Sequence, residues 1–203
     1  MKSNIIEQNK KFFNLWADLY DYSFPIKPWL YYIQKNVIKH LQLNNKLKIL
    51  DVGCGTGDSL NYIAKLSKSQ LYGLDISENM LKIARKKLGE KAILKLGDVE
   101  KIPFKDKTFD YVLNTEAFHH FPNPNKTLKE INRVLKKNGE FMLADVNFYS
   151  NFIHWLFKKI EPGHVKIYSK DEFKELFIKN SFKIISQKRL GIFAILTIGK
   201  KLN

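Results

Sequence analysis

The sequence predicts an α/β fold in which a doubly wound, mostly parallel sheet of seven strands has helices on both faces. From Lys48 onward, short apolar runs alternate with longer segments of helical period, as in parallel sheets covered by helices. A glycine-rich turn follows the first apolar run, at 53–57. The last two apolar runs flank Gly191, which indicates a hairpin. We therefore expect one antiparallel strand near the C-terminal end.

Each predicted strand is an apolar run that ends near a polar or glycine-containing loop. The runs before the hairpin lie at 48–52, 70–75, 92–96, 109–114 and 140–146, and the hairpin strands lie at 182–189 and 192–200. The segments between the first five runs are long enough to be the helices that connect them.

Capping signals predict where two of the helices begin. Ser77 can accept hydrogen bonds from free amides, and Glu78 lies favourably in the first turn, so a helix is expected up to Leu88. Ser169 and Glu172 have the spacing of a capping box, which predicts a helix that reaches about residue 179.

A further helix is expected at 125–137. Leu128 and Ile131 share its apolar face, and Asn138-Gly139 suits a left-handed helix terminus. A strand should follow directly.

Two regions fall outside the alternating pattern, the aromatic-rich segment 12–32 and the insertion 147–166. Either region could cover a pocket. The insertion contains an apolar stripe of helical spacing, which we interpret as a packing or lid surface, with an interfacial membrane contact as the alternative. The stripe consists of Phe152, Ile153, Leu156, Phe157 and Ile160.

The chain is strongly basic, with a formal net charge of +15. Lysine and arginine contacts to phosphates supply much of the affinity of proteins for nucleic acid, so the charge could indicate a polyanionic partner. Only Arg85, Arg133 and Arg189 are arginines, however, and the lysines are spread along the chain. We interpret the charge as a solvated surface of biased composition, and nucleic acid, an acidic small molecule or a membrane surface remain alternatives.

The sequence has few signals for membranes, disulfides or metals. The start resembles no signal peptide, and no eighteen apolar residues run together, so we expect a cytoplasmic protein without a transmembrane segment. Cys54 is the only cysteine, and five histidines are scattered along the chain. This pattern predicts no structural metal.

The most informative segment is the glycine-rich turn after the first strand. Gly53, Gly55 and Gly57 let the backbone bend sharply and approach a ligand, while the following helix offers free amides. The dinucleotide pattern GxGxxG would need a glycine at 58 or 60, where the chain has Asp58 and Leu60. The turn therefore indicates a nucleotide-like ligand other than a dinucleotide.

This GxGxG turn, with Asp51 inside the preceding strand, resembles motif I of the class I S-adenosylmethionine-dependent methyltransferases, which have a Rossmann-like fold. The resemblance extends from Lys48 to about residue 179. It implies that S-adenosylmethionine is the cofactor and that it is held by Asp51, Gly53, Cys54, Gly55, Gly57, Asp75, Ile76, Met80, Asp98, Val99, Asn114 and Tyr20.

Three of these residues have roles that the resemblance implies more closely. Asp75, in Gly73-Leu74-Asp75-Ile76-Ser77, matches the acid that accepts hydrogen bonds from both ribose hydroxyls. Asp98, in Gly97-Asp98-Val99, matches the acid of the adenine-binding turn. Tyr20 resembles the tyrosine that many relatives place over the methionine end of the cofactor, and a packing aromatic is the alternative.

Later segments extend the resemblance. Ile102-Pro103-Phe104 is similar to a short apolar-Pro-Phe segment of the family, and the run from Arg133 to Gly139 resembles its RVLKPGG turn. Lys137 and Asn138 depart from that pattern. The stretch 164–169 resembles the small-molecule, type 11-like branch, which contains quinone-ring methyltransferases.

Candidate catalytic residues follow the fourth strand, at the edge where such sheets bind substrates. His119, His120 and Glu116 could act as a general base if the acceptor is a hydroxyl, a phenol or a protonated amine. A structural role for the histidines is the alternative. The segment 114–117 lacks the Pro-Pro motif of many base amino-methyltransferases, and Cys54 belongs to the glycine turn, so two classes of nucleic-acid methylation are disfavoured.

The leading hypothesis is a methyltransferase that acts on a small molecule by in-line transfer. The alternatives are an RNA methyltransferase and a non-catalytic S-adenosylmethionine-binding protein. We expect one domain over 1–203. Its parts would be a helical lid region (1–45), a cofactor-binding core (46–146), an insertion or lid (147–168) and a C-terminal helix with a hairpin (169–203).

Overall fold

The computed structural model describes residues 2–22, 26–148, 153–155, 159 and 163–202. Its longer helices are α1 (Lys2–Tyr20), α2 (Ile26–Ile38), α3 (Asp58–Leu66), α4 (Glu78–Leu88), α5 (Pro124–Val134) and α6 (Lys170–Lys179). Most of the apolar stripe predicted in the insertion lies outside the described residues.

Seven strands form one sheet in the described part of the chain. They are β1 (Lys48–Val52), β2 (Gln70–Asp75), β3 (Ala92–Leu96), β4 (Phe109–Thr115), β5 (Leu135–Val146), β6 (Phe182–Leu190) and β7 (Ala194–Lys201). The spatial order is β3-β2-β1-β4-β5-β7-β6. Strand β7 is antiparallel to both of its neighbours, and the other pairs are parallel. The predicted fold class is confirmed.

Helices cover both faces of the sheet, because each has a buried apolar stripe. On one face, Leu128 of α5 and Phe173 of α6 pack into an aromatic-rich core. On the other face, Ile33 of α2, Leu60 of α3 and Leu81 of α4 form a second core. All five side chains are fully buried, and each contributes about 1.5–3 kcal/mol of hydrophobic stabilisation.

The predicted capping residues do begin their helices. The Ser77 hydroxyl accepts a hydrogen bond from the amide of Met80 at the start of α4. At the start of α6, the Ser169 hydroxyl accepts from the amide of Glu172, and the Glu172 carboxylate accepts from the amide of Ser169. This reciprocal pair is the predicted capping box.

Helix α5 ends earlier than the sequence predicts. It stops at Val134, and the chain becomes extended at Leu135, which is fully buried and pairs with Phe109 of β4. Burial of Leu135 in the sheet therefore outweighs the helical period of 135–137. Asn138 is left-handed, with φ of 63°, but this residue lies within the strand segment and does not terminate the helix.

The N-terminal helices are held in different ways. Helix α1 lies across the start of α4, where Asn14 accepts a hydrogen bond from the Ser77 hydroxyl at 2.6 Å. Helix α2 packs into the core through Ile33 and Val37. Only α1 contributes several side chains to the cleft described below.

The predicted C-terminal hairpin is present, with Gly191 in a left-handed conformation between β6 and β7. In the described part of the chain, no helix combines the length and apolar character needed to span a bilayer.

Candidate functional site

A cleft opens at the carboxyl ends of the parallel strands. Its empty volume is about 900 Å³, a figure that includes open solvent at the mouth. The loops that follow β1, β2, β3 and β4 form its floor, and α1 forms part of its roof. This edge of a doubly wound sheet is where such folds bind ligands.

The loop after β1 places three glycines in left-handed conformations. The φ angles of Gly53, Gly55 and Gly57 are 73°, 50° and 80°. A Cβ atom on Gly53 would lie 2.8 Å from the Cβ of Ala117, so the loop packs closely on the β4 loop. A Cβ on Gly55 would meet no atom within 4 Å. The loop is therefore tightly packed behind and open toward the cleft.

Asp75, at the end of β2, joins this loop to the next one. One carboxylate oxygen accepts from the amide of Gly55 at 2.7 Å, and the other accepts from the amide of Ser77 at 2.9 Å. Burial raises the pKa of Asp75, and the backbone hydrogen bonds oppose this effect. Each oxygen keeps a second lone pair, so the carboxylate can also accept from hydroxyls of a ligand.

Asp51 and Asn114 lie beneath the loop and do not line the cleft. Asp51 is 1% exposed, and burial together with the negative charge of Asp75 raises its pKa well above the ordinary range. The Asn114 amide donates to the carbonyl of Val52 at 2.6 Å. Asn114 thus fixes the end of β1 directly before the loop.

The wall opposite the glycine loop comes from the ends of β2 and β3. Ile76, Met80, Asp98 and Val99 all line the cleft. The Asp98 carboxylate accepts from the amide of Glu100 at 2.8 Å, which fixes the turn after β3. A heterocyclic base can be held by a carboxylate that accepts hydrogen bonds and by apolar groups that contact its ring, and these residues offer both.

A polar network that we did not predict lies at the mouth of the cleft. Lys27 contacts the carboxylates of both Asp21 and Asp58, and Lys87 contacts the same two carboxylates. The Thr56 hydroxyl donates to Asp21 at 2.8 Å. Burial acts to raise the pKa of Asp21, but the hydrogen bonds from Lys27, Lys87 and Thr56 outweigh it and lower the pKa. The network ties the end of α1 to the glycine loop.

Tyr20 lines the cleft beside this network. Burial and the negative charge of Asp58 raise its pKa, so the phenol stays protonated. The Nζ atom of Lys27 lies 5.0 Å from the centre of the ring. Tyr20 therefore presents a protonated hydroxyl and an aromatic face.

The far end of the cleft is aromatic and contains two of the predicted catalytic residues. Glu116 and His120 line it, together with Phe13 of α1 and Phe121. The Phe13 and His120 rings meet edge to face, with centroids 4.9 Å apart. The Asn9 amide donates to the carbonyl of His120 at 3.1 Å, so α1 also holds the backbone of this turn.

His119, the third predicted catalytic residue, does not line the cleft. It is 2% exposed, and its Nδ1 atom lies 2.6 Å from a carboxylate oxygen of Asp145, which is 1% exposed. The histidines look scattered in the sequence, but the ring centroids of His119 and His164 are only 5.1 Å apart. We did not predict Asp145 as a partner of His119, because the two residues are 26 positions apart in the sequence.

The cleft therefore brings together most of the predicted residues. Nine of the twelve predicted cofactor residues line it, and Asp51, Gly57 and Asn114 support it from behind. We did not predict Asn9, although the aromatic-rich start indicated that α1 could cover a pocket. Asp58 directly follows the glycine turn, which was a usable signal for it.

Comparisons with known proteins agree with this geometry. A family model described as a methyltransferase domain matches residues 50–143. An uncharacterised protein of Methanocaldococcus jannaschii is 30% identical over 193 residues, which cover 95% of this chain and 67% of that protein. A demethylmenaquinone methyltransferase of Staphylococcus aureus is 33% identical over 154 residues, which cover 70% of this chain and 64% of that enzyme. The chain thus spans about two thirds of the length of these relatives.

A solved structure shows the same fold. It belongs to the complex between the Haloferax volcanii Trm112 methyltransferase activator and a methyltransferase. The TM-score is 0.83 at 22% identity, and the match covers 94% of this chain and 98% of the other. At this identity the likeness concerns the fold alone.

Proposed function

Because the chain belongs to the class I S-adenosylmethionine-dependent methyltransferases, whose cofactor is S-adenosylmethionine, we propose that it methylates a small molecule by in-line transfer. One continuous cleft joins the glycine loop, Asp75 and Asp98 to the aromatic end around Phe13 and His120. This is the observation that most supports the proposed methyl transfer. A donor and an acceptor fit such a cleft end to end.

The cofactor would occupy the half of the cleft between the glycine loop and Asp98. Asp75 would accept from the ribose hydroxyls, and Asp98 with Val99 would hold the adenine. The methionine end would lie over Gly55, where the space next to the backbone is open, and beside Tyr20. The aromatic end of the cleft would then remain for the methyl acceptor.

Positioning would be the main catalytic effect. Holding an acceptor behind the methyl carbon can remove roughly 7–11 kcal/mol from the barrier in favourable cases. The rings of Phe13 and Phe121 offer flat apolar surfaces for a planar acceptor. The aromatic end therefore favours a planar small molecule.

A general base would come from His120 or Glu116, which both line this end. The Nδ1 atom of His120 lies 3.3 Å from the carbonyl oxygen of Gly163. A carbonyl can only accept, so Nδ1 would hold the hydrogen and Nε2 would be the nitrogen that accepts a proton. His119 would act by positioning, since it does not reach the cleft.

Similarity to demethylmenaquinone methyltransferases supports an acceptor of small size, and the basic charge favours RNA as the second candidate. The arginines argue against RNA, because each has a partner inside the protein. Arg85 pairs with Glu78, Arg133 with Glu130, and Arg189 donates to Asn147. An RNA surface would depend on lysines alone.

The test is methyl transfer from radiolabelled S-adenosylmethionine. The purified protein would be incubated with a reduced demethylated naphthoquinone or with total RNA, and Asp75→Asn would be the control. We expect label in the quinol product and at least about tenfold less with Asp75→Asn. Label in RNA alone would contradict the proposal. No label in either substrate, with cofactor binding intact, would contradict the choice of acceptor and favour the non-catalytic alternative.

A further inference from the structure

Three potential metal ligands meet behind the aromatic end of the cleft. Glu116 and His119 follow β4, and Asp145 lies near the end of the adjacent strand β5. One ligand atom from each residue lies within 4.8 Å of the others. The amide of Glu116 donates to the carbonyl of Ala144 at 2.9 Å, and this bond holds Glu116 beside Asp145.

The Asp145 carboxylate is the most deeply buried group of this cluster. Asp145 is 1% exposed, and its Oδ2 atom has no hydrogen-bond partner among the described residues. A buried carboxylate of this kind is costly unless a cation or hydrogen bonds compensate it.

We propose that Glu116, His119 and Asp145 bind one divalent transition-metal ion. The Nδ1 atom of His119 and the Oδ1 atom of Asp145 are 2.6 Å apart. Two ligands at about 2.0–2.2 Å from one tetrahedral zinc ion lie about 3.3–3.6 Å from each other. The two atoms therefore need to move apart by about 0.7–1 Å to share an ion, which a small rotation of either side chain provides.

The ligand types select the class of metal. An imidazole with two carboxylates suits Zn²⁺ and its first-row neighbours, whereas Mg²⁺ and Ca²⁺ prefer oxygen ligands alone. This proposal departs from the sequence analysis, which predicts no structural metal. That expectation relied on the spacing of the histidines and could not include Asp145.

A simple hydrogen-bonded pair of His119 and Asp145 is the competing explanation. That pair does not require Glu116, yet Glu116 has a φ of 55°, which is uncommon for a residue with a side chain. Such strain is often found at functional sites. The metal site explains why a strained carboxylate lies next to the pair.

The location suggests a role for the ion at the acceptor end of the cleft. This role rests on the proposed function, whereas the metal site itself does not. Glu116 lines the acceptor end of the cleft, so the ion would lie in its wall. A hydroxyl oxygen of the acceptor could take an open coordination position, and the ion would then lower the pKa of that hydroxyl.

The test is zinc binding by the full chain after treatment with a chelator. Zn²⁺ would be titrated in competition with a chromophoric chelator of known affinity. The variants are His119→Gln, Asp145→Asn and the matched control His40→Gln, which changes a histidine in the turn after α2. We expect one zinc per chain, at least about tenfold weaker binding in the first two variants, and unchanged binding in His40→Gln.

A second readout defines the ligands. X-ray absorption of the zinc-loaded protein should show one imidazole among oxygen ligands and no sulfur. If His119→Gln or Asp145→Asn does not fold, Glu116→Gln, on the partly exposed wall, provides the same comparison. Absence of stoichiometric zinc, equal binding by all variants, or preference for Mg²⁺ would overturn the site.

Different results would contradict the metal site and the proposed function. Affinity for S-adenosylmethionine without added metal should be the same in wild type and His119→Gln, because His119 does not line the cleft. A protein that binds the cofactor but no zinc contradicts only the metal site. A protein that binds zinc but not the cofactor contradicts only the proposed function.

Discussion

Asp51 and Asp75 are carboxylates at the ends of neighbouring strands, and the structure gives them different surroundings. Asp75 lines the cleft and accepts two backbone hydrogen bonds. Asp51 lies beneath the glycine loop, where one of its oxygens has no hydrogen-bond partner among the described residues. Asp51 therefore lowers the stability of the ligand-free protein, as residues at functional sites often do.

Asp51→Asn should stabilise the ligand-free protein more at pH 8 than at pH 5. The raised pKa of Asp51 means that the folded state binds the proton more tightly than the unfolded state. Stability is therefore lost as the pH rises above about 4, and asparagine avoids this loss. We expect a Tm increase of about 2–4 °C for each kcal/mol gained at pH 8.

Thermal unfolding at the two pH values measures this effect, with the exposed Asp171→Asn as the control. The control should shift Tm equally at both values. A stabilisation by Asp51→Asn that is larger at pH 5 would show that Asp51 is not a buried, destabilising charge.

Single site residues were predictable from the sequence where they belong to contiguous motifs. Asp75, Asp98 and the glycines were recognisable because their spacing along the chain is fixed by a strand and a turn. Asp145 and Lys87 were not, because their partners come from distant elements. Contacts of that kind depend on the order of strands in the sheet, and no local pattern records them.

The glycine loop between β1 and α3 is the element on which the cleft depends most. Its residues have similar backbone conformations but different surroundings. A Cβ on Gly57 would lie 2.9 Å from Leu88 and 3.1 Å from Ala84, whereas a Cβ on Gly55 would point into open space. Gly57 thus permits close packing against α4, and Gly55 leaves open space beside the backbone of the loop.

Alanine substitutions should separate these two functions. Gly57→Ala combines a left-handed φ with steric overlap and should destabilise the protein by about 1–3 kcal/mol. Gly55→Ala should lose less stability but should weaken cofactor binding, because its methyl group projects into the cleft. Gly191→Ala is the matched control. Gly191 has a φ of 59° and open surroundings, as Gly55 does, but it lies in the C-terminal hairpin.

Thermal unfolding and cofactor titration of the three variants check this prediction. Gly191→Ala should match Gly55→Ala in stability and wild type in affinity. Equal affinities for Gly55→Ala and wild type would place the cofactor elsewhere.

The elements themselves were largely predictable, and the errors occurred where burial outweighs local pattern. The start of α6 followed from Ser169 and Glu172 alone, because a capping box is a local interaction. The end of α5 was predicted too late, since Leu135 leaves the helix to pair with Phe109. That choice depends on the partner strand, which helical periodicity does not contain.

For the whole molecule, the strand order explains why separate motifs form one site. Strands β1, β2, β3 and β4 are neighbours with parallel directions, so the loops at their carboxyl ends meet at one edge. The parallel sheet and an N-terminal helical lid were both predicted from the sequence, but the contacts that hold α1 over the cleft were not. Its contacts, such as Asn9 with His120 and Asn14 with Ser77, join residues more than 60 positions apart.

We propose that this edge of the sheet binds S-adenosylmethionine through Asp75. The most direct test is calorimetric titration of S-adenosylmethionine, and separately of NAD, into wild type, Asp75→Asn and the control Asp171→Asn. We expect one S-adenosylmethionine per chain, at least about tenfold weaker binding to Asp75→Asn, unchanged binding to Asp171→Asn, and no comparable binding of NAD. Tighter binding of NAD, or equal binding of S-adenosylmethionine by wild type and Asp75→Asn, would contradict it.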